Sequence, residues 1–248
     1  MTTPRHLRNA PITEALIDFR VKAQMGFRPE DFSGLKMRLA EQFPKMEERR
    51  GHQATFEVIK GQGQPPVMKD LGLHGYFFKT SDGKAIAQFR VDGFTFNRLR
   101  PYTSWEEIFP QAMELWRLYS NICKPEAVMR LAVRYINHIV LGPGTVDLET
   151  YLRSAPVIPQ ELPQHVRGFL TRVTIYDPEK DIAANVIQAL QESRPGSQLA
   201  VILDIDAYKE REFSTDDPNI EQTFEQLRAF KNLIFFNSLT EYTLRGFE

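Results

Sequence analysis

Two aspartates late in the chain have the spacing of a divalent-cation site. Asp204 and Asp206 lie in a run of apolar and β-branched residues, 201–206, that is typical of a strand. Residues i and i+2 of a strand share one face, so their carboxylates are about 7 Å apart. With a third acid, for which Asp18 is the candidate, they can chelate Mg²⁺. This pattern suggests a metal-dependent phosphoryl-transfer enzyme or nuclease, and Mg²⁺ is the one cofactor that this hypothesis requires.

Arginines on neighbouring strands offer these aspartates a different role. Arg20, Arg90, Arg130 and Arg134 occupy strand positions of comparable parity. Because buried carboxylates need partners, salt bridges across the sheet are the simpler interpretation. If the polar sheet surface is only a salt-bridged face, the sheet is a scaffold, and function is expected at the strand-to-helix junction around residues 97–102.

That junction supplies the second group of candidate residues. Asn97, Arg100 and Tyr102 follow Phe94 and Phe96, whose shared parity is typical of a core-facing strand. Together with the polar sheet surface, the junction gives one candidate binding set: Arg90, Asn97, Arg98, Arg100, Tyr102, Arg134, Asn137, Asp204 and Asp206. The arginines of this set suggest a nucleotide or nucleic-acid sensor as a further alternative.

Other catalytic and metal-binding signatures are missing from the sequence. The five histidines have neither H-x-x-x-H nor H-E-x-x-H spacing, so no zinc site is implied. The single cysteine, Cys123, excludes an internal disulfide, and its place beside Ile122 on a predicted helix favours an inert thiol. The sequence contains no G-x-S-x-G elbow and no P-loop lysine.

Composition indicates a globular protein of the reduced cytoplasm. The chain has 248 residues, of which 42% are hydrophobic, enough to bury a sizeable core. Lys and Arg number 31 against 32 Asp and Glu, so the formal charge of -1 creates no general attraction to nucleic acid or anionic lipid. Nucleic acid is therefore a disfavoured partner. No apolar run approaches the roughly 20 residues of a membrane span, and we expect no membrane partner.

Hydrophobic periodicity predicts the elements of the first half. They are a strand over 15–21, a four-turn helix over 29–43, a strand over 55–60, three strands within 76–99 and a helix over 104–122. The charged run 45–50 is predicted to end the first helix. Asp82-Gly83 and Asp92-Gly93 favour tight turns, so the three strands form a meander. Ser104 and Glu107 have the spacing of a capping box.

The second half repeats much of this order. We predict strands over 129–141, 168–176, 182–190 and 199–209, a short helix over 147–153 and a final helix over 217–246. The repetition predicts an α+β fold with an internal duplication, in which a curved, pseudo-twofold antiparallel sheet is backed by two long helices. Its connectivity resembles the TATA-binding-protein-like arrangement, and a duplicated ferredoxin-like fold is the alternative. The two halves, 1–125 and 126–248, are expected to pack as one compact unit.

Six short segments carry a family resemblance along nearly the whole chain. They are 7–12 (LRNAPI), 96–102 (FNRLRPY) with Trp105 and Glu106, 134–137 (RYIN), 147–152 (DLETYL), 201–206 (VILDID) and 237–240 (NSLT). In these segments the chain resembles a sporadically distributed bacterial protein family of unknown function. The resemblance implies no catalytic residues. Its patchy occurrence is typical of defence or toxin-associated genes.

The sequence therefore predicts a non-catalytic protein-interaction or assembly module, linked by that occurrence to a bacterial defence or toxin-associated system. We expect a protein partner or self-association and no cofactor. The metal-dependent enzyme and the nucleotide or nucleic-acid sensor remain the alternatives.

Overall fold

The computed structural model describes residues 7–55, 58–59, 62–63, 67–142, 147–191 and 198–248. The strands in these ranges are β1 (Ile12–Lys22), β2 (Lys45–Thr55), β3 (Val58–Ile59), β4 (Gln62–Gly63), β5 (Val67–Lys79), β6 (Ala85–Arg90), β7 (Gly93–Leu99), β8 (Ala127–Val140), β9 (Leu170–Asp177), β10 (Ile182–Gln191) and β11 (Ala200–Phe213). The helices are α1 (Leu35–Arg38), α2 (Trp105–Cys123), α3 (Ile220–Ser238) and α4 (Glu241–Arg245).

Nine strands form one antiparallel sheet with the order β2-β5-β6-β7-β1-β8-β11-β10-β9. The alternating sequence of β1 explains its central place. Ile17 and Phe19 are buried on the face that α2 and α3 cover, while Asp18 and Arg20 point to the opposite face, called here the polar face. β3 and β4 pair separately.

The core lies between the middle of the sheet and the two long helices. Phe19 stacks on Trp116 of α2 at 4.0 Å between ring centres and meets Phe224 of α3 at 5.0 Å. Of the predicted capping box, the Ser104 half is confirmed: its hydroxyl accepts a hydrogen bond from the Glu107 N–H at 3.2 Å. α2 therefore begins directly after the predicted junction.

The predicted meander of β5, β6 and β7 is confirmed. Gly83 and Gly93, in the two Asp-Gly turns, have φ angles of 70° and 155°, which non-glycine residues rarely adopt. A Cβ atom on Gly93 would lie 2.1 Å from the carbonyl oxygen of Phe19. This glycine thus lets β7 approach the centre of β1.

The predicted duplicated α+β unit backed by two long helices is wrong, and with it the TATA-binding-protein-like and duplicated ferredoxin-like expectations. The described chain is dominated by one nine-stranded antiparallel sheet. The early helix of each predicted repeat is absent: residues 29–43 form only a 3₁₀ turn and the single turn α1, and residues 147–153 form only a 3₁₀ turn at Leu148–Thr150. β9 also extends beyond the helices, with both of its faces largely exposed.

Local sequence features explain three other differences between the predicted and the observed elements. Gly34 interrupts the helical pattern of 29–43 at a cost in backbone entropy, although Phe32 and Phe43 still reach the core. The charged run 45–50 is the start of the edge strand β2, where exposed charges are common. The final helix is divided at Leu239, whose backbone is extended. Much of the predicted strand over 55–60 lies outside the described residues.

Candidate functional site

The two aspartates of the predicted cation site each bind a different arginine. Arg134 donates from Nε and Nη2 to the two carboxylate oxygens of Asp204, at 2.9 and 2.5 Å. Nη2 of Arg130 lies 3.0 and 2.8 Å from the two oxygens of Asp206. The hydrogen bonds to Asp204, which outweigh burial, raise the pKa of Arg134 above its ordinary value. These carboxylates are therefore neutralised by the protein itself.

Asp18, the proposed third acid, is also committed to arginines. Its Oδ1 lies 3.1 Å from Nη2 of Arg90, and its Oδ2 lies 3.5 Å from Nη1 of Arg130. Arg90 is 3% exposed and also contacts Asp92 and the Thr95 hydroxyl. Burial acts to raise the pKa of Asp92, but the charge of Arg90 and further partners lower it overall.

These contacts form two neighbouring groups of ion pairs on the polar face, Arg90–Asp18–Arg130–Asp206 and Arg134–Asp204, which together are called here the ion-pair strip. Among the described residues, no group of three or more His, Cys, Asp or Glu side chains is placed to hold a metal ion. The strip has the salt-bridged geometry that the sequence offered as the alternative to a cation site. The metal-dependent hypothesis thus lacks its geometric requirement here.

The nine predicted binding residues are divided among three places. Arg90, Asn97, Arg134, Asp204 and Asp206 lie on the polar face, Arg98 shares the parity of the core-facing residues of β7, and Arg100, Tyr102 and Asn137 line a cavity. Asn97 is buried and donates to Glu14. The arginines suggested for a nucleotide or nucleic-acid sensor are consequently not gathered into one patch.

The cavity lies where β7 leads into α2, and it has a volume of about 360 Å³. Its walls come from the segment before β1, the stretch 100–106, β8 and the middle of α3. We call it the junction cavity, and its charged, aromatic and amide side chains include Arg8, Arg100, Tyr102, Trp105, Glu106, Tyr135, Asn137, Arg228, Lys231 and Phe235. Its volume falls in the range typical of small-molecule sites.

Lys231 is the most unusual residue of the junction cavity. Its side chain is 8% exposed, and Nζ lies 3.8 Å from the centre of the Tyr135 ring. Within the described parts of the chain, its ammonium makes no hydrogen bond or ion pair. Desolvation, followed by the charge of Arg228, lowers the pKa of Lys231 to about 7. A buried lysine without a carboxylate partner is the group that a bound anion would complete.

Two tyrosines form the floor of the cavity. The hydroxyls of Tyr102 and Tyr135 are 3.2 Å apart, and their rings meet edge to face. Burial raises the pKa of both phenols, so both remain protonated donors at neutral pH. Asn137 is held close by through a hydrogen bond from its Nδ2 to the carbonyl oxygen of Leu203 at 3.0 Å.

Arg228 lies one turn before Lys231 on α3 and is fixed by several contacts. Its Nη2 lies 2.8 Å from Oε1 of Glu106, and its guanidinium lies 5.3 Å from the centre of the Trp105 ring. The Trp105 indole in turn donates to Glu225 at 2.6 Å. An arginine held in this way loses little side-chain entropy when it binds a ligand.

The charge of the cavity lining favours anions. Four basic residues, Arg8, Arg100, Arg228 and Lys231, face one acidic residue, Glu106. The N-terminus of the 19-residue helix α2 also opens into the cavity and adds positive potential. Aromatic rings beside these groups offer an apolar surface, so the site suits a small anion that has a planar apolar part.

Sequence reasoning found Arg100, Tyr102 and Asn137 but missed Lys231 and Arg228. A signal for Lys231 was present in the printed sequence: it lies four residues after Leu227 and four before Phe235, on the buried stripe of α3. A lysine at such a position must be desolvated or face a cavity. Arg228 had no comparable pattern: besides its local pair with Glu225, its contacts are with Glu106 and Trp105 of α2.

No family model matches the chain, and the search of curated proteins found no significant match. Within the described residues, no helix is both long and apolar enough to cross a membrane.

Proposed function

We propose that this protein is a non-catalytic binding module that takes up a small anionic ligand in the junction cavity. The observation that carries the proposal is Lys231, 8% exposed and unpaired among the residues that the structure describes, at the wall of a cavity of about 360 Å³. Burying an ammonium without a counter-charge is costly, and a bound carboxylate or phosphate monoester removes that cost.

Each part of the cavity has a separate task in this proposal. Lys231 neutralises the charge of the ligand, while Arg228 and Arg100 supply further donors. The hydroxyl that accepts in the Tyr102–Tyr135 hydrogen bond keeps its own proton to donate to an anionic oxygen, and the partly buried Phe236 ring, which also lines the cavity, packs against the planar apolar part.

A comparison of anions with a neutral analogue tests the proposal. Benzoate and phenyl phosphate, each at about thirty times its dissociation constant, should raise the melting temperature by about 5 °C, while benzamide should not. The Lys231→Met variant should lose this stabilisation. Lys36→Met is the matched control, because Lys36 is an exposed lysine on α1 and does not line the cavity. Equal stabilisation by benzoate and benzamide, or no stabilisation by either anion, would contradict the proposal.

A further inference from the structure

The two edges of the nine-stranded sheet are chemically different. β2 carries five charged side chains in its first six residues, which discourages pairing with another strand. β9, with the sequence LTRVTIYD, contains no proline or glycine, and its only charged residues are Arg172 and the terminal Asp177. β9 is thus the edge with little protection against strand addition.

β9 also presents exposed apolar side chains on both of its faces. Val173 and Ile175 on one face are 55% and 39% exposed, and Leu170 and Tyr176 on the other are 73% and 58% exposed. In the described chain, β10 is the only strand paired with β9, and no backbone hydrogen bond reaches its outer edge from a loop. Such an edge can extend the sheet by one more strand.

We infer that β9 pairs antiparallel with β9 of a second copy of this chain, so that two sheets join into one continuous sheet around a twofold axis. In such a pair, two residues that face each other point to the same side of the sheet. Because side chains alternate along β9 in the same way in both copies, the two residue numbers are both odd or both even, and their sum is even. This condition allows only a few registers. In each of them, one residue of β9 faces the same residue of the second copy across the twofold axis.

The register with Thr174 on the axis is self-complementary. Val173 then faces Ile175 of the second copy, which forms two apolar cross-strand pairs on one face. On the other face, Arg172 faces Tyr176 of the second copy, a cation–π pair, and Arg172 makes no ion pair within the described residues. Moving the axis to Val173 leaves a single Val173–Val173 pair at the axis and sets Arg172 opposite Thr174, so the cation–π pair is lost, although Leu170 then faces Tyr176 of the second copy. This complementarity favours a second copy over an unrelated strand.

The test uses the full chain, whose mass in solution should be about twice the 28.7 kDa of one copy. Val173→Lys should weaken the dimer about tenfold or more, because two like charges replace two apolar contacts. Leu233→Lys is the matched control: Leu233 is 59% exposed on α3 and should leave the dimer intact. Unchanged circular dichroism would show that both variants fold.

Cysteine cross-linking tests the register itself. Thr174→Cys on the axis should form a disulfide between two copies under mild oxidation, because facing Cβ atoms are about 5 Å apart. Arg172→Cys should not, since the two copies of residue 172 would be about 13 Å apart. The natural Cys123 is fully buried and should not interfere. A monomeric chain at every concentration tested, or cross-linking of Arg172→Cys as fast as of Thr174→Cys, would overturn the inference. Neither result depends on ligand binding in the junction cavity.

Discussion

The ammonium of Lys231 lies 3.8 Å from the centre of the Tyr135 ring. The ring face attracts the charge, but it replaces only part of the hydration that the ammonium loses on burial. The charged form of Lys231 therefore destabilises the folded protein while the cavity is empty.

Replacing Lys231 with methionine should stabilise the protein in the absence of ligand. The variant removes a desolvated charge and keeps a side chain of similar length, so the free energy of unfolding at pH 7 should rise by about 1 to 2 kcal/mol. Urea unfolding of the two proteins measures this change. A destabilised variant would show that the ammonium has a favourable role in the empty cavity.

The same lysine should make stability depend on pH. Its pKa is about 7 in the folded protein and about 10.4 in an unfolded chain, so between these values the unfolded state binds more protons. The free energy of unfolding should therefore rise with pH over this range, with a contribution from Lys231 of at most about 1.4 kcal/mol per pH unit. The difference between wild type and Lys231→Met isolates this contribution. Curves that stay parallel from pH 7 to pH 10 would refute it.

Removing Asp18 should reveal the structural role of the ion-pair strip. Asp18→Ala leaves the 3% exposed Arg90 without one of its carboxylate partners, and we expect a loss of about 3 kcal/mol of stability. The control is Glu126→Ala, which breaks the exposed Lys22–Glu126 pair and should cost about 0.5 kcal/mol or less. Equal costs for the two variants would mean that the strip contributes no more than a surface ion pair.

Two glycines in similar turns should respond differently to alanine. At Gly93 the new Cβ would lie 2.1 Å from the Phe19 oxygen, so β7 and β1 must separate, at a cost of at least about 3 kcal/mol. At Gly83 nothing lies within 4 Å of the new Cβ, and only the positive φ of 70° opposes it, at a cost of about 1 kcal/mol. Thermal unfolding compares the two, and a smaller effect at Gly93 would contradict the close strand approach.

Local patterns in the sequence predicted most of the strands and the helix α2, but they missed the edge strand β2 and the division of the final helix. The alternation around Phe19 and the Asp-Gly turns act over a few residues, so they are visible without knowledge of the fold. The region 29–43 shows the limit of this approach: its apolar residues have helical spacing, but Gly34 and packing on the sheet favour shorter turns.

The candidate site was only partly accessible from the sequence. Arg100 and Tyr102 were found because they follow a clear strand and precede a clear helix cap. The ion pairs of the polar face depend on which strands are neighbours, as the diagonal contact between Arg134 and Asp204 illustrates. The meeting of α3 with the junction is a tertiary contact, and no local pattern indicated that it would bring Lys231 there.

The dissociation constant of phenyl phosphate for wild type, Lys231→Met and Lys36→Met, measured by titration calorimetry at pH 6.5, tests the central claim most directly. Loss of one charge-assisted contact should weaken binding to Lys231→Met by about ten- to a hundredfold, and binding to Lys36→Met should equal that of wild type. Wild-type affinity should also fall as the pH rises above 7, because the ammonium that attracts the anion is then lost. Equal affinity of wild type and Lys231→Met, or no binding by wild type, would contradict the assignment of the junction cavity as an anion site.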